Sequence, residues 1–135
     1  MSRSIFVIDD DEDVREVLCF ALEFEGVSTF AFQSGSEAEE FLKTLNFSEY
    51  PGLMVVDYMM PDMDGVEFIN KMITVYPETL GLIPMALSTA RFEDETSDLP
   101  PRALRLPKPV NLEEFIALSK KFANLDPNHT SQFLS

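Results

Sequence analysis

Basic residues are scarce in this chain: ten lysines and arginines face 24 aspartates and glutamates, for a formal net charge of -14. That balance repels polyphosphate backbones and anionic lipid headgroups, and it argues against nucleic acid or a membrane surface as a partner. Cysteine is nearly absent. The one residue, Cys19, has no internal disulfide partner and sits in an apolar helical pattern, so it reads as a small core residue suited to a reducing compartment. No apolar run approaches the roughly 20 residues needed to span a bilayer, and no basic start leads into a segment of signal-peptide type. A soluble, cytoplasmic protein is the expectation. Repeats and low-complexity linkers are missing too, and 135 residues fit one domain with no room for a separate output domain.

What the chain does have is enough apolar material for a core, at 45% hydrophobic residues, arranged as short apolar runs alternating with amphipathic segments. Ile5 to Ile8, Val27 to Phe32, Leu53 to Val56 and Pro84 to Leu87 read as strands, and Ala103 to Leu106 as a fifth. Between them, Val14, Val17, Leu18, Ala21 and Leu22 follow the spacing of one buried helix stripe that Gly26 ends. Ala38, Phe41, Leu42 and Leu45 repeat it behind a Ser36/Glu39 capping box, as do Ile69, Met72, Ile73 and Tyr76. Leu112, Phe115, Ile116 and Phe122 form a last stripe, opened by Asn111 and Glu114 as cap and N3 partner. Residues 92–99 are polar and end at Pro100-Pro101, and a loose tail follows Leu125. Strands joined by helical crossovers imply right-handed βαβ units and a doubly wound parallel sheet, whose ligands bind at the carboxyl ends of the strands.

Polar residues stand at those ends. Asp9 and Asp10 follow the first run, Asp57 the third, Ser88 and Thr89 the fourth, and Lys108 comes shortly after the fifth. The fold would gather them in one crevice about the first and third strands. Three carboxylates held together repel one another, so either one takes a proton or a cation joins them. Magnesium suits such a site, because it binds hard oxygens and keeps waters and phosphate oxygens as its other ligands. An aspartate nucleophile with a metal, a lysine and a hydroxyl around it is what phosphoryl transfer requires, and Asp57 is the central candidate.

Each of these residues alone has a plainer reading. An acid beside a helix start is commonly a cap, as Asp11, Glu12 and Asp13 are expected to be, and Lys108 or Thr89 alone would be a surface or turn residue. Their joint placement at strand ends is what points to chemistry. Two other acid motifs fail on composition. Asp62-Met63-Asp64-Gly65 echoes a calcium loop, but Met60 and Lys71 stand at its first and last ligand positions. A haloacid-dehalogenase-type phosphatase would need an acid where Met59 stands.

From about Ser4 to Phe122 the sequence resembles the receiver domains of bacterial response regulators. The runs that carry the resemblance are Ile5 to Arg15 (IFVIDDDEDVR), Val55 to Gly65 (VVDYMMPDMDG), Ser88 to Ala90 (STA) and Leu106 to Pro109 (LPKP). It implies a flavodoxin-like five-stranded sheet of order 2-1-3-4-5 with helices on both faces, a receiver over residues 1–125 and a flexible tail over 126–135. It also implies Asp57 as phosphoacceptor, with magnesium held directly by Asp10 and Asp57, through water by Asp9, and by the backbone carbonyl of Met59. Thr89 would hydrogen-bond the phosphoryl group, Ala90 would leave it room, Lys108 would pair with it, and the Lys108-Pro109 bond would be cis. The implied donor is a histidine kinase or a histidine phosphotransfer protein, and the implied output is a downstream protein target.

The match departs from the family pattern in three places. Arg105 stands where the family has an aromatic residue three before the lysine. The segment from Thr89 to Lys108 is short and contains Pro100-Pro101. Met59 and Arg91 occupy the two variable positions that tune phosphoryl lifetime. The acceptor constellation is complete, while the usual threonine-to-aromatic readout lacks its second member. Self-phosphorylation and autodephosphorylation are implied, with no turnover of an outside substrate. A receiver-fold module that binds partners without phosphorylation is the alternative reading, and a relay carrier passing its phosphoryl group to a histidine is a variant of the first.

Overall fold

The computed structural model describes residues 2–92 and 96–124. In chain order these form β1 (Ile5–Ile8), α1 (Glu12–Phe24), β2 (Thr29–Phe32), α2 (Gly35–Leu42), β3 (Leu53–Asp57), α3 (Gly65–Val75), β4 (Met85–Thr89), β5 (Leu104–Pro107) and α4 (Leu112–Ala123), with short 3-10 turns at Phe47–Glu49 and Leu80–Leu82. The five strands make one sheet of order β2-β1-β3-β4-β5, and every neighbouring pair is parallel. The order reverses between β1 and β3, which opens a crevice above their carboxyl ends.

Strands β1, β3 and β4 are buried at every residue, whereas the edge strands β2 and β5 are mixed. Their unbroken apolar runs follow from this, since a central parallel strand is covered on both faces and has no reason to alternate. One face packs Phe6, Ile8, Met54, Val56 and Leu87 against Ala38 and Leu42 of α2 and Phe68, Ile69 and Met72 of α3. The other packs Ile5, Val7, Leu53, Val55, Ala86 and Leu106 against Leu18 and Leu22 of α1 and Phe115 and Phe122 of α4. Full burial of one such leucine or phenylalanine contributes roughly 1.5–3 kcal/mol relative to exposure. The strands end at fixed heights because both cores fix register.

The helix starts are local. Asp11 caps α1 by accepting the amides of Asp13 and Val14 at 2.9 and 3.3 Å. Asn111 accepts Glu114 N–H at 3.0 Å at the start of α4. Gly26, at φ +80°, ends the α1 segment in a conformation that a side chain resists.

Several expected boundaries move. The second strand begins at Thr29 rather than Val27, β3 runs on to Asp57 and β4 to Thr89, so the polar end residues are themselves strand residues. The cap of α2 is Ser34, which accepts Glu37 N–H while Glu37 accepts Gln33 N–H, in place of the Ser36/Glu39 box. Ser36 and Glu39 are drawn away by tertiary partners: Ser36 N–H donates to Asp62 at 3.0 Å, and Glu39 accepts from Lys71 and Tyr76 at 2.8 and 2.5 Å. Val17 and Leu112, read as buried stripe positions, are exposed, and Cys19 is only half-buried. Residues 93–95 and the tail beyond Asn124 lie outside the described residues.

Candidate functional site

The carboxyl ends of β1, β3, β4 and β5 supply the expected residues. Alternation along the strands puts Asp9, two beyond Val7, and Asp57, two beyond Val55, on the face that carries α1 and α4. Asp9 and Asp57 are buried, at 4% and 5% exposure, and Asp10 is open to solvent. Ligand oxygens from Asp9, Asp10 and Asp57 lie within 4.8 Å of one another. Lys108 enters from just past β5 and places Nζ 2.6 Å from Asp57 Oδ1 and 3.7 Å from Asp9 Oδ2.

The surrounding backbone locks these groups. Asp9 Oδ1 accepts Asp11 N–H at 2.9 Å, and Arg15 donates to the Asp9 carbonyl at 2.7 Å. Lys108 N–H donates to Thr89 O at 3.1 Å, which ties the lysine to the end of β4. Thr89 Oγ1 accepts Arg91 N–H at 3.2 Å and so turns the chain after the strand. The loop after β3 is pinned by Tyr58 N–H to Ser88 O and Gly65 N–H to Tyr58 O. A Cβ on Gly65 would fall 2.5 Å from Asp57 O and 2.6 Å from Leu87 Cδ1, so the start of α3 sits against the backbone of Asp57 only because residue 65 is glycine. The Lys108-Pro109 peptide is cis.

Burial is the largest influence on both inner acids. It pushes Asp9 up to about 6, assisted by the charges of Asp57 and Asp10 and opposed by the Asp11 amide and Lys108. Asp57 is also raised by burial, although its bond to Lys108 pulls the other way. Burial lowers Lys108, but its contacts with Asp57 and Asp9 outweigh that, and its pKa ends above the usual lysine value. One ammonium thus pairs with two of the three clustered carboxylates. The charge left over, and a donor set made wholly of carboxylate oxygen, fit a hard divalent cation such as magnesium.

A family model for the response regulator receiver domain matches residues 5–118. The chain belongs to the response regulator receiver domain family. It is 37% identical over 125 residues to an uncharacterized 14.6 kDa protein of Leptolyngbya boryana, covering 87% of this chain and 88% of that one. It is 33% identical over 124 residues to the DNA-binding transcriptional regulator NtrC of Proteus hauseri, covering 87% of this chain and 24% of that one. The receiver therefore spans about a quarter of that regulator's length. Among solved structures, the beryllofluoride-activated NtrC4 receiver domain dimer superposes with a TM-score of 0.72 at 28% identity, over 89% of this chain and 95% of that one. Receivers are signalling modules of two-component systems, and the acidic cluster here is compatible with the magnesium and aspartyl phosphorylation of that family.

Against that background Arg105 acquires a place. Its guanidinium lies over the Phe92 ring, 5.3 Å from the centroid. Arg105 on β5 is thus joined to the segment after β4 by a cation–π contact. Ala90 and Arg91 are exposed at the mouth of the site, and the Met59 side chain points largely to solvent. Asp62, set aside as a calcium ligand, braces the loop after β3 against Ser36 at the start of α2. Sequence reading included Arg15 at the end of the first motif but gave it no role, because its bond to the Asp9 carbonyl appears only in the fold. It missed the Asp64/Glu67 capping box of α3, which the spacing of those two residues would have disclosed.

No described helix is long and apolar enough to cross a membrane.

Proposed function

We propose that this receiver accepts a phosphoryl group on Asp57 from a histidine kinase or histidine phosphotransfer protein, and signals to a partner protein by conformational switching. The observation that carries the reading is the buried Asp57 carboxylate, bonded to Lys108 at 2.6 Å with Asp9 and Asp10 beside it. An oxygen of Asp57 attacks phosphorus as the donor's N–P bond breaks. The bonding pair stays on the imidazole, which then takes a proton. Asp10 and Asp57, with Asp9 through water and the Met59 carbonyl, would hold magnesium, which when bound supplies positive charge for the phosphoryl oxygens. Lys108 neutralises one oxygen, Thr89 donates a hydrogen bond to another, and Ala90 leaves room. Met59 and Arg91 stand at the mouth and set water access, and hence phosphoryl lifetime.

An apolar groove of about 380 Å³ flanks the site, lined by Val14, Val17 and Leu18 of α1 and by Lys108, Pro109 and Leu112. Val17 and Leu112 are exposed apolar residues. A donor helix laid there would reach the acceptor. Output runs through Thr89. Once its hydroxyl turns to a phosphoryl oxygen, Arg91 N–H loses its acceptor, and the segment bearing Phe92 shifts against Arg105. Incubation with acetyl phosphate and magnesium should add one phosphoryl mass to the wild type and none to Asp57→Asn. Equal labelling of the two would end this assignment.

A further inference from the structure

Two buried serine hydroxyls, Ser88 Oγ on β4 and Ser119 Oγ on α4, have no hydrogen-bond partner among the described residues. A buried hydroxyl left unpaired costs stability that alanine at the same place would not, so each calls for an explanation. Their surroundings differ. Ser119 lies one turn before Phe122, whose carbonyl is packed on Gly52 at the amino end of β3, away from the acid cluster. Ser88 pairs in register with Asp57. Standing two beyond Ala86, it shares the α1/α4 face with Asp57, and it is only 3% exposed.

Lys108 adds the second half of the geometry. It begins just past β5 and ends on Asp57 of β3, and β4 lies between those strands. Its stem must therefore pass the carboxyl end of β4, where Ser88 is the side chain on that face. An ammonium has three donors, and in the structure Asp57 Oδ1 and Asp9 Oδ2 face it. A phosphoryl group on Asp57 redirects those donors.

We infer that Ser88 is a positioning residue for Lys108: its hydroxyl oxygen accepts a hydrogen bond from the ammonium when the lysine turns from the Asp57 carboxylate toward a phosphoryl oxygen. The inference rests on the phosphoacceptor reading above. A neutral acceptor suits the task because it holds the ammonium without adding to a site already rich in negative charge. The locally unfavourable hydroxyl is then the kind of broken packing rule that functional sites retain.

The test uses the full chain with beryllofluoride and magnesium as the probe, and compares Ser88→Ala, Ser88→Thr and Ser119→Ala. Ser88→Ala should weaken beryllofluoride binding about threefold to tenfold while its thermal midpoint stays level or rises. Ser88→Thr, which keeps the oxygen, should bind within about twofold of wild type. Ser119→Ala should match the wild type in binding and also stay level or rise in midpoint. The inference is overturned if Ser88→Ala binds like wild type, if Ser88→Thr loses as much as Ser88→Ala, or if Ser119→Ala loses equally. Wild-type protein that ignores beryllofluoride would instead bring down the phosphoacceptor reading, and this inference with it.

Discussion

Replacing Asp10 by asparagine separates the electrostatic cost of the acid cluster from its use. Asp10 has its ligand oxygen within 4.8 Å of those of Asp9 and Asp57, while the Lys108 ion pairs run to the other two acids. The substitution therefore removes two repulsions and leaves both Lys108 ion pairs in place. At 4.8 Å a pair of unit charges repels by about 3.5 kcal/mol at an effective dielectric of about 20, and by about 0.9 kcal/mol in water. Asp10 is exposed, so the lower figure governs, and two pairs give about 2 kcal/mol. In chelator, Asp10→Asn should unfold about 4–8 °C above wild type. Magnesium at about 100 times its dissociation constant should stabilise wild type by about 2.7 kcal/mol. The variant, short of a ligand, should gain far less, and the order of the midpoints should reverse. Protonation gives a second check. Folded Asp9 holds its proton up to about 6 against 3.8 for the free side chain, so its burial penalises folding increasingly as pH rises through that window and fully above it. In chelator, both proteins should grow more stable as pH falls from neutral toward 5, and the advantage of Asp10→Asn should shrink as Asp9 loses its charge. Thermal melts that show Asp10→Asn destabilised in chelator, or gaining as much from magnesium as wild type, would refute the reasoning.

Gly65→Ala forces a methyl group into the 2.5 Å gap before Asp57 O; a loss of about 2 kcal/mol or more is expected by denaturant melts, together with slower labelling by acetyl phosphate. Glu39→Gln leaves Lys71 and Tyr76 without their buried carboxylate. It should cost about 1–2 kcal/mol, bring the Tyr76 hydroxyl down from about 12 toward the usual tyrosine value in an absorbance titration, and leave phosphorylation unchanged.

Much of this site was legible because its parts obey local rules. Ile5 to Ile8 and Leu53 to Val56 are unbroken apolar runs since both sheet faces are covered, and Asp11 and Asn111 are caps whose partners lie two or three residues on. The errors arose where a residue answers to a distant neighbour. Ser36 and Glu39 have capping-box spacing, but Asp62, Lys71 and Tyr76 claim them. Val17 has stripe spacing, yet the helix turns it away from the core. Arg105 read as a missing aromatic, and no local pattern told that Phe92 would come beneath it.

By itself the sequence determined the order of strands and helices and the polar residues that close each strand, because periodicity and capping act over a few residues. The tertiary structure alone decided how near those residues come. That Lys108 meets Asp57 at 2.6 Å, that Asp9 is raised to about 6, and that Ser88 sits beside Asp57 with an unpaired hydroxyl all depend on strand order, register and burial. Those are properties of the packed sheet, in which charges far apart along the chain share one poorly solvated crevice.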